Sequence, residues 1–173
     1  GCTSDCEISV PVQDTIPPVI DELPAESTID CPAQPEFAQA TASDECDSQV
    51  DLTYEDELLE GNCPGNYTVV RQWTAVDDCG NTAQASQTIH VRDITAPVID
   101  ELPAESTIDC PAQPQFAQAS ASDECDSQVD LTYEDELLEG NCPGNYTVVR
   151  HWTAMDDCGN TASASQTINV RDI

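Results

Sequence analysis

Cys31, Cys46, Cys63 and Cys79 stand 15, 17 and 16 positions apart, and the same four recur 79 positions later as Cys110, Cys125, Cys142 and Cys158. No C-x-x-C knuckle occurs within the repeat, so a zinc ribbon lacks its ligand set. Ten cysteines in 173 residues instead predict disulfides formed in an oxidising compartment. Four cysteines per repeat allow three pairings, and spacing alone selects none. The other reactive groups are carboxylates, 34 of them against four arginines and no lysine. Adjacent acids at that density say little about glycosidase chemistry. His90 and His151 have Asn169 and Gln72 as their counterparts, so a Ser-His-Asp centre fails on position. The expectation is no enzyme.

A formal charge of −30 excludes nucleic acid, whose phosphates need clustered cations. Anionic membrane surfaces are excluded for the same reason. Such a surface attracts cations, diffusely or at defined sites. Without lysine, Lys–Asn isopeptide staples cannot form. No apolar run approaches the ~20 residues of a membrane span, and a signal peptide is not expected in a fragment, which would not retain one.

The elements that position these groups are organised around Asn66–Asn81, repeated as residues 145–160. Val69, Trp73 and Ala75 alternate with polar residues, the period of a strand with one buried face. Asp78-Cys79-Gly80-Asn81 then supplies a turn, and a second alternating run carries Ala83, Ala85, Ile89 and Val91. This predicts a β-hairpin with the Trp in its first strand. Arg71 and Arg150 share that Trp's parity, which predicts a local ion pair or a stack on the ring. Asn66-Tyr67-Thr68 and its copy match an N-glycosylation sequon, a match expected to arise by chance in a bacterial protein.

From Asp21 to Arg92 only Glu36, Thr41, Gln72, Val76, Gln84 and His90 differ from their counterparts. Two domains are therefore expected, at 14–92 and 93–171. Residues 1–13 read as the remnant of a preceding repeat, and 172–173 as the start of the next. The whole is expected to be a monomeric fragment of an array. Cys2 and Cys6 pair either with each other or with a missing partner. Within a repeat, Val19–Ile20 begins strand A and Ser27–Asp30 continues it. Cys31–Pro35 turns a corner, Phe37–Ser43 is a second strand, and Val50, Leu52 and Tyr54 mark a third. Glu55–Glu60 fits a helical turn or a strand end equally. Short strands separated by turn signals predict a β-sandwich.

Pro17-Pro18-Val19-Ile20, Ala42-Ser43-Asp44-x-Cys46, and Tyr67 through Trp73-Thr-Ala-x-Asp77-x-x-Gly80-Asn81 resemble the hyalin repeat, an immunoglobulin-like module. The four-cysteine form, with Arg71-x-Trp73-Thr-Ala and Ser86-Gln87-Thr88-Ile89, is similar to tandem repeats of giant Bacteroidota surface proteins, the gliding-motility adhesins among them. The resemblance implies tandem immunoglobulin-like sandwiches arranged end to end. It also implies a non-catalytic, extracellular, load-bearing stalk at the cell surface. Its partners would be neighbouring repeats of the same chain, with surface polysaccharide or the motility machinery beyond. A polysaccharide-binding module and an accessory domain of a secreted enzyme are the alternatives.

In such a sandwich the B–C and F–G loops share one end, and the A–B turn and the approach to F share the other. That topology predicts Cys46–Cys79, Cys31–Cys63, Cys125–Cys158 and Cys110–Cys142. Strands of 10–12 residues give a rod of about 35–40 Å per repeat. The same end gathers Asp44, Glu45, Asp77 and Asp78, joined by linker Asp14, and in the second repeat Asp123, Glu124, Asp156 and Asp157, joined by Asp93. Clustered carboxylates repel unless protonated or neutralised, and calcium, which accepts six to eight oxygens, is the expected cation. Asp44, Asp77, Asp78, Asp123, Asp156, Asp157 and Asp93 are the expected ligands.

Overall fold

A computed structural model describes residues 13–173, which form strands, turns and irregular chain with no helix among them. The remnant expected at 1–13, with Cys2 and Cys6, lies outside the described residues apart from Gln13. Each repeat combines a two-stranded and a four-stranded sheet. In the first, β1 (Val19–Ile20) pairs antiparallel with β3 (Ala42–Ser43). Alongside are β2 (Ser27–Asp30), β4 (Asp51–Glu60), β5 (Tyr67–Val76) and β6 (Thr82–Arg92), in the sheet order β2-β6-β5-β4. The second repeat builds the same pair from β7 (Val98–Ile99) with β9 (Ala121–Ser122), and β8 (Ser106–Asp109), β10 (Asp130–Glu139), β11 (Tyr146–Met155) and β12 (Thr161–Arg171). The chain is therefore all-β, two tandem sandwich-like repeats.

The hairpin predicted around the Trp is β5–β6. In the second copy, Trp152 lies opposite Ala164 and Val148 opposite Ile168. Trp73, Ala75, Ile89 and Val91 are buried, as are Trp152, Ala154, Ile168 and Val170. Burying one face of a hairpin this way supplies most of the apolar area such a small core has.

Two expectations change. Strand A is split: Val19–Ile20 stays with β3, whereas Ser27–Asp30 pairs parallel with β6, Ser27 opposite Ile89. Pro24 lies between the halves and cannot donate to a ladder, so the chain changes sheets there. The strand expected over Phe37–Ser43 shrinks to Ala42–Ser43, because its partner β1 offers only two residues. Glu55–Glu60 resolves as strand. Its copy shows why: Glu134 to Glu139 pair residue by residue with His151 to Tyr146.

Contacts gather the described chain into two compact units. One comprises residues 13–26, Glu36–Glu57 and Val70–Thr88. The other comprises Ser27–Pro35, Leu58–Val69 and Ile89–Ile173, so that part of the first repeat packs in one unit with all of the second.

Candidate functional site: carboxylates and cysteines at the repeat junction

The loops of the second unit are built by their own acids. Asp123 Oδ1 accepts the N–H groups of Cys125 (2.7 Å) and Asp126 (3.1 Å). Asp126, buried, accepts from Gln128 N and from Asp157 N, tying the two cysteine loops together. Asp156, also buried, spends both oxygens on Asn160, on its N–H and its Nδ2, at 2.8 Å each. Gly159, at φ +90°, closes that turn in the left-handed region. Short polar side chains that bond their own backbone are the ordinary makers of such turns.

Asp93 enters this cluster from the linker. Its N–H donates to Asn66 Oδ1 (2.6 Å), its Oδ1 accepts from Thr95 N (3.0 Å), and its side chain lies against Gly65. A Cβ at Gly65 would lie 2.5 Å from the Asp93 Cβ, too close to be accommodated without a shift. Asp93 is 5 % exposed, and one oxygen each of Asp93 and Asp123 lies within 4.8 Å of the other and of Cys125 Sγ. Burial pushes the Asp93 carboxyl above the usual range, and the nearby charges of Asp123, Asp156 and Asp126 add to the rise.

The disulfides are the main correction. Cys31 bonds Cys125 and Cys63 bonds Cys158, with Cα separations of 5.9 and 5.2 Å. Cys46, Cys79, Cys110 and Cys142 carry exposed free thiols. The predicted Cys31–Cys63, Cys125–Cys158, Cys46–Cys79 and Cys110–Cys142 bonds are therefore not the ones formed. The expected loop neighbourhoods nonetheless exist, since Asp126 links the loops of Cys125 and Cys158. What changes the pairing is the packing of the first repeat's cysteine turns, Ser27–Pro35 and Leu58–Val69, within the unit that holds Cys125 and Cys158. Cys125 and Cys158 are the copies of Cys46 and Cys79, so the partners differ from the expectation in loop as well as in repeat.

The first repeat carries the same loop chemistry. Asp44 accepts from Cys46 N and Asp47 N, Asp47 from Asp78 N, and Asp77 from Cys79 N and from both donors of Asn81. Burial alone would raise the Asp77 carboxyl, but the Asn81 side chain and the N–H groups of Asn81, Cys79 and Gly80 outweigh it and hold it low. Asp14, Asp44 and Cys46 come together as Asp93, Asp123 and Cys125 do. The charge of Asp14, with slight desolvation and the charges of Asp44, Glu45 and Cys79, pushes the exposed Cys46 thiol up.

Of the expected ligands, Asp93 pairs with Asp123, while Asp77 and Asp156 are occupied as turn caps. Asp78 and Asp157 face solvent, as do Glu45 and Glu124. Sequence reading passed over Asp47 and Asp126, whose signal is the D-x-C-D spacing. It also passed over Asn66 and Asn145, which cap the backbone of Asp93 and Asp172. Arg71 follows its expectation. It holds Asp56 with two 2.7 Å bonds and lies 3.9, 4.3 and 5.7 Å from the ring centres of Tyr54, Phe37 and Trp73. Arg150 repeats the arrangement with Asp135, Phe116, Tyr133 and Trp152. The two histidines have unrelated partners, Thr68 for His90 and Glu136 for His151.

No described protein family and no curated protein matches the chain. Among solved structures it is similar to Drosophila N-cadherin EC1-4, at 12% identity and a TM-score of 0.41, over 90% of this chain and 49% of that one. It is also similar to human mucin-like protocadherin EC1-2 (11%, TM-score 0.36, 90% and 98%) and to the tandem Ig repeats of Dlar (12%, TM-score 0.33, 91% and 99%). The chain spans about half the length of the N-cadherin fragment. No helix among the described residues is long and apolar enough to cross a membrane.

Proposed function

We propose that the chain is a pair of structural stalk repeats from a large extracellular adhesin, working by bearing load between neighbouring repeats. One observation carries this reading: Cys31–Cys125 and Cys63–Cys158 run in parallel with the main chain across the repeat boundary. Tension arriving at Cys31 crosses directly to Cys125 and tension at Cys63 crosses to Cys158, so the segment between Cys63 and Cys125 is shielded. A single-molecule pulling experiment tests this. With sequence separations of 94 and 95, complete extension of the oxidised chain should fall short of the reduced chain by about 320 Å at ~3.4 Å per residue. Equal extensions would overturn the reading.

The burial of Trp73 and Trp152, the largest aromatic faces, favours a stalk over a polysaccharide-binding module. Phe37, Tyr54 and Trp73 are gathered around Arg71, and Phe116, Tyr133 and Trp152 around Arg150. A sugar platform needs aromatic faces that are free. The finer assignment, to a gliding-motility adhesin of the SprB kind, rests on the resemblance of the Arg71-x-Trp73-Thr-Ala and Ser86-Gln87-Thr88-Ile89 motifs. Antibody to the chain should label intact cells of its source, and deletion of the gene should stop their spreading on surfaces. Unlabelled cells, or spreading that survives deletion, would remove it.

A further inference from the structure

We propose that Asp93 and Asp123 bind a calcium ion at the boundary between the repeats. The inference stands on the two carboxylates, not on the stalk reading. In each, Oδ1 is already taken by backbone N–H groups, of Thr95 for Asp93 and of Cys125 and Asp126 for Asp123. In each, Oδ2 is buried and has no hydrogen-bond partner. Asp93 as a whole is 5 % exposed, so water cannot solvate its free oxygen as it would at the surface. A buried acceptor without a donor costs stability, a charged one most of all. Each candidate counter-charge is engaged elsewhere: Arg71 with Asp56, Arg92 with Asp30, Arg150 with Asp135 and Arg171 with Asp109. The remaining charged neighbours, Asp126 and Asp156, are also acids, and their oxygens are already committed to N–H donors.

The donor set defines the ion. Cys125 Sγ lies in a disulfide and offers no thiolate, which removes the soft transition metals. Oxygen ligands held by two turns, with water and main-chain carbonyl completing the shell, suit calcium's variable coordination. Magnesium demands a tighter, near-ideal octahedron. A proton shared between the two Oδ2 atoms is the competing solution, and the test separates it.

The oxidised chain is melted in calcium, in magnesium and in chelator at matched ionic strength, and calcium retention is measured by equilibrium dialysis. Calcium should raise Tm by several degrees, as a ligand of the folded state does, with magnesium and sodium giving no comparable rise. Asp93→Asn and Asp123→Asn should each weaken retention about tenfold or more, while Asp157→Asn at an exposed position leaves it intact. Absence of both retention and a calcium shift would overturn the site, whether or not the variants fold. So would an equal magnesium response, or undiminished retention by folded Asp93→Asn and Asp123→Asn, which would indicate only an ion atmosphere. A Tm that responds to acidification but never to calcium would assign the pair a shared proton instead.

Discussion

Asp14, Asp44, Cys46 and Cys79 are the same residues, 79 positions earlier, as Asp93, Asp123, Cys125 and Cys158. Their states differ. Cys125 and Cys158 are in disulfides, Cys46 and Cys79 are exposed thiols, and Asp93 is buried where Asp14 is only half-buried. The local turns cannot cause this, because Asp44 and Asp123 cap their loops with the same hydrogen bonds. The difference comes from what packs against the loop. Around Cys125 and Cys158 that packing includes the cysteine turns of Cys31 and Cys63, which lie in the same compact unit.

The largest effect should come from breaking the bonds that distinguish the two ends. Cys31→Ser opens a loop with a sequence separation of 94 and should cost about 4–5 kcal/mol in the chain-entropy picture. Cys46→Ser, at an exposed free thiol, should cost less than about 0.5 kcal/mol. Denaturant unfolding of the two variants decides, and equal losses would abolish the contrast. Peptide mapping without reductant should find Cys31 with Cys125 and Cys63 with Cys158.

Away from the junction the repeats should behave alike. Arg71→Ala and Arg150→Ala each remove a bidentate pair and stacking on Tyr and Phe rings. With the paired carboxylates partly exposed, the loss should be about 2 kcal/mol in each case, most of it from the stack. A difference of more than about 1 kcal/mol between the two would mean that the junction's influence reaches this far.

Acid dependence should divide by sign. Hydrogen bonds from Arg71 and Arg150 hold the carboxyls of Asp56 and Asp135 below their usual range. The stability they add is present above the unfolded value near ~3.9 and is lost as pH falls through the lower folded values. Asp93 is raised, so its contribution is full below ~3.9 and is lost as pH rises through its folded value. In chelator at neutral pH, Asp93→Asn should therefore raise Tm by roughly 2–4 °C. It should also flatten the decline above pH 4 that wild type shows. A lowered Tm would contradict the buried charge.

The smallest effect concerns Cys46. The charge of Asp14, with slight desolvation and the neighbouring Asp44, Glu45 and Cys79, raises the Cys46 thiol. Its alkylation rate should reach half-maximum above the pH of about 8.5 typical of free cysteine. Added salt should bring it back by screening. An ordinary, salt-independent profile would mean that the acids around Cys46 are too well solvated to matter.

Much of this was legible in the sequence. Alternation around Trp73 and Ile89 gave the hairpin and its buried face, because period-2 patterning records directly which side of a strand meets the core. Asp77-Asp78-Cys79-Gly80-Asn81 gave the turn, and the parity of Arg71 placed it against the aromatic residues. The sheet change at Pro24 was not legible, because Val19–Ile20 and Ser27–Asp30 both read as extended chain and only their ladder partners differ. The acids of the loops were visible as a cluster. Which oxygens the backbone had already consumed was not, since that depends on the path of each turn.

Sequence by itself determined the repeat, its all-β pattern, its turn chemistry and a surface that repels anions, all of them set by neighbours within a few residues along the chain. Only the tertiary structure decided the disulfide partners and the burial of Asp93. Residues 79 apart carry the same local signal, so pairing within a repeat and pairing to the next are degenerate until the chain is packed. The contact between the first repeat's cysteine turns and the second repeat's loops lifts that degeneracy.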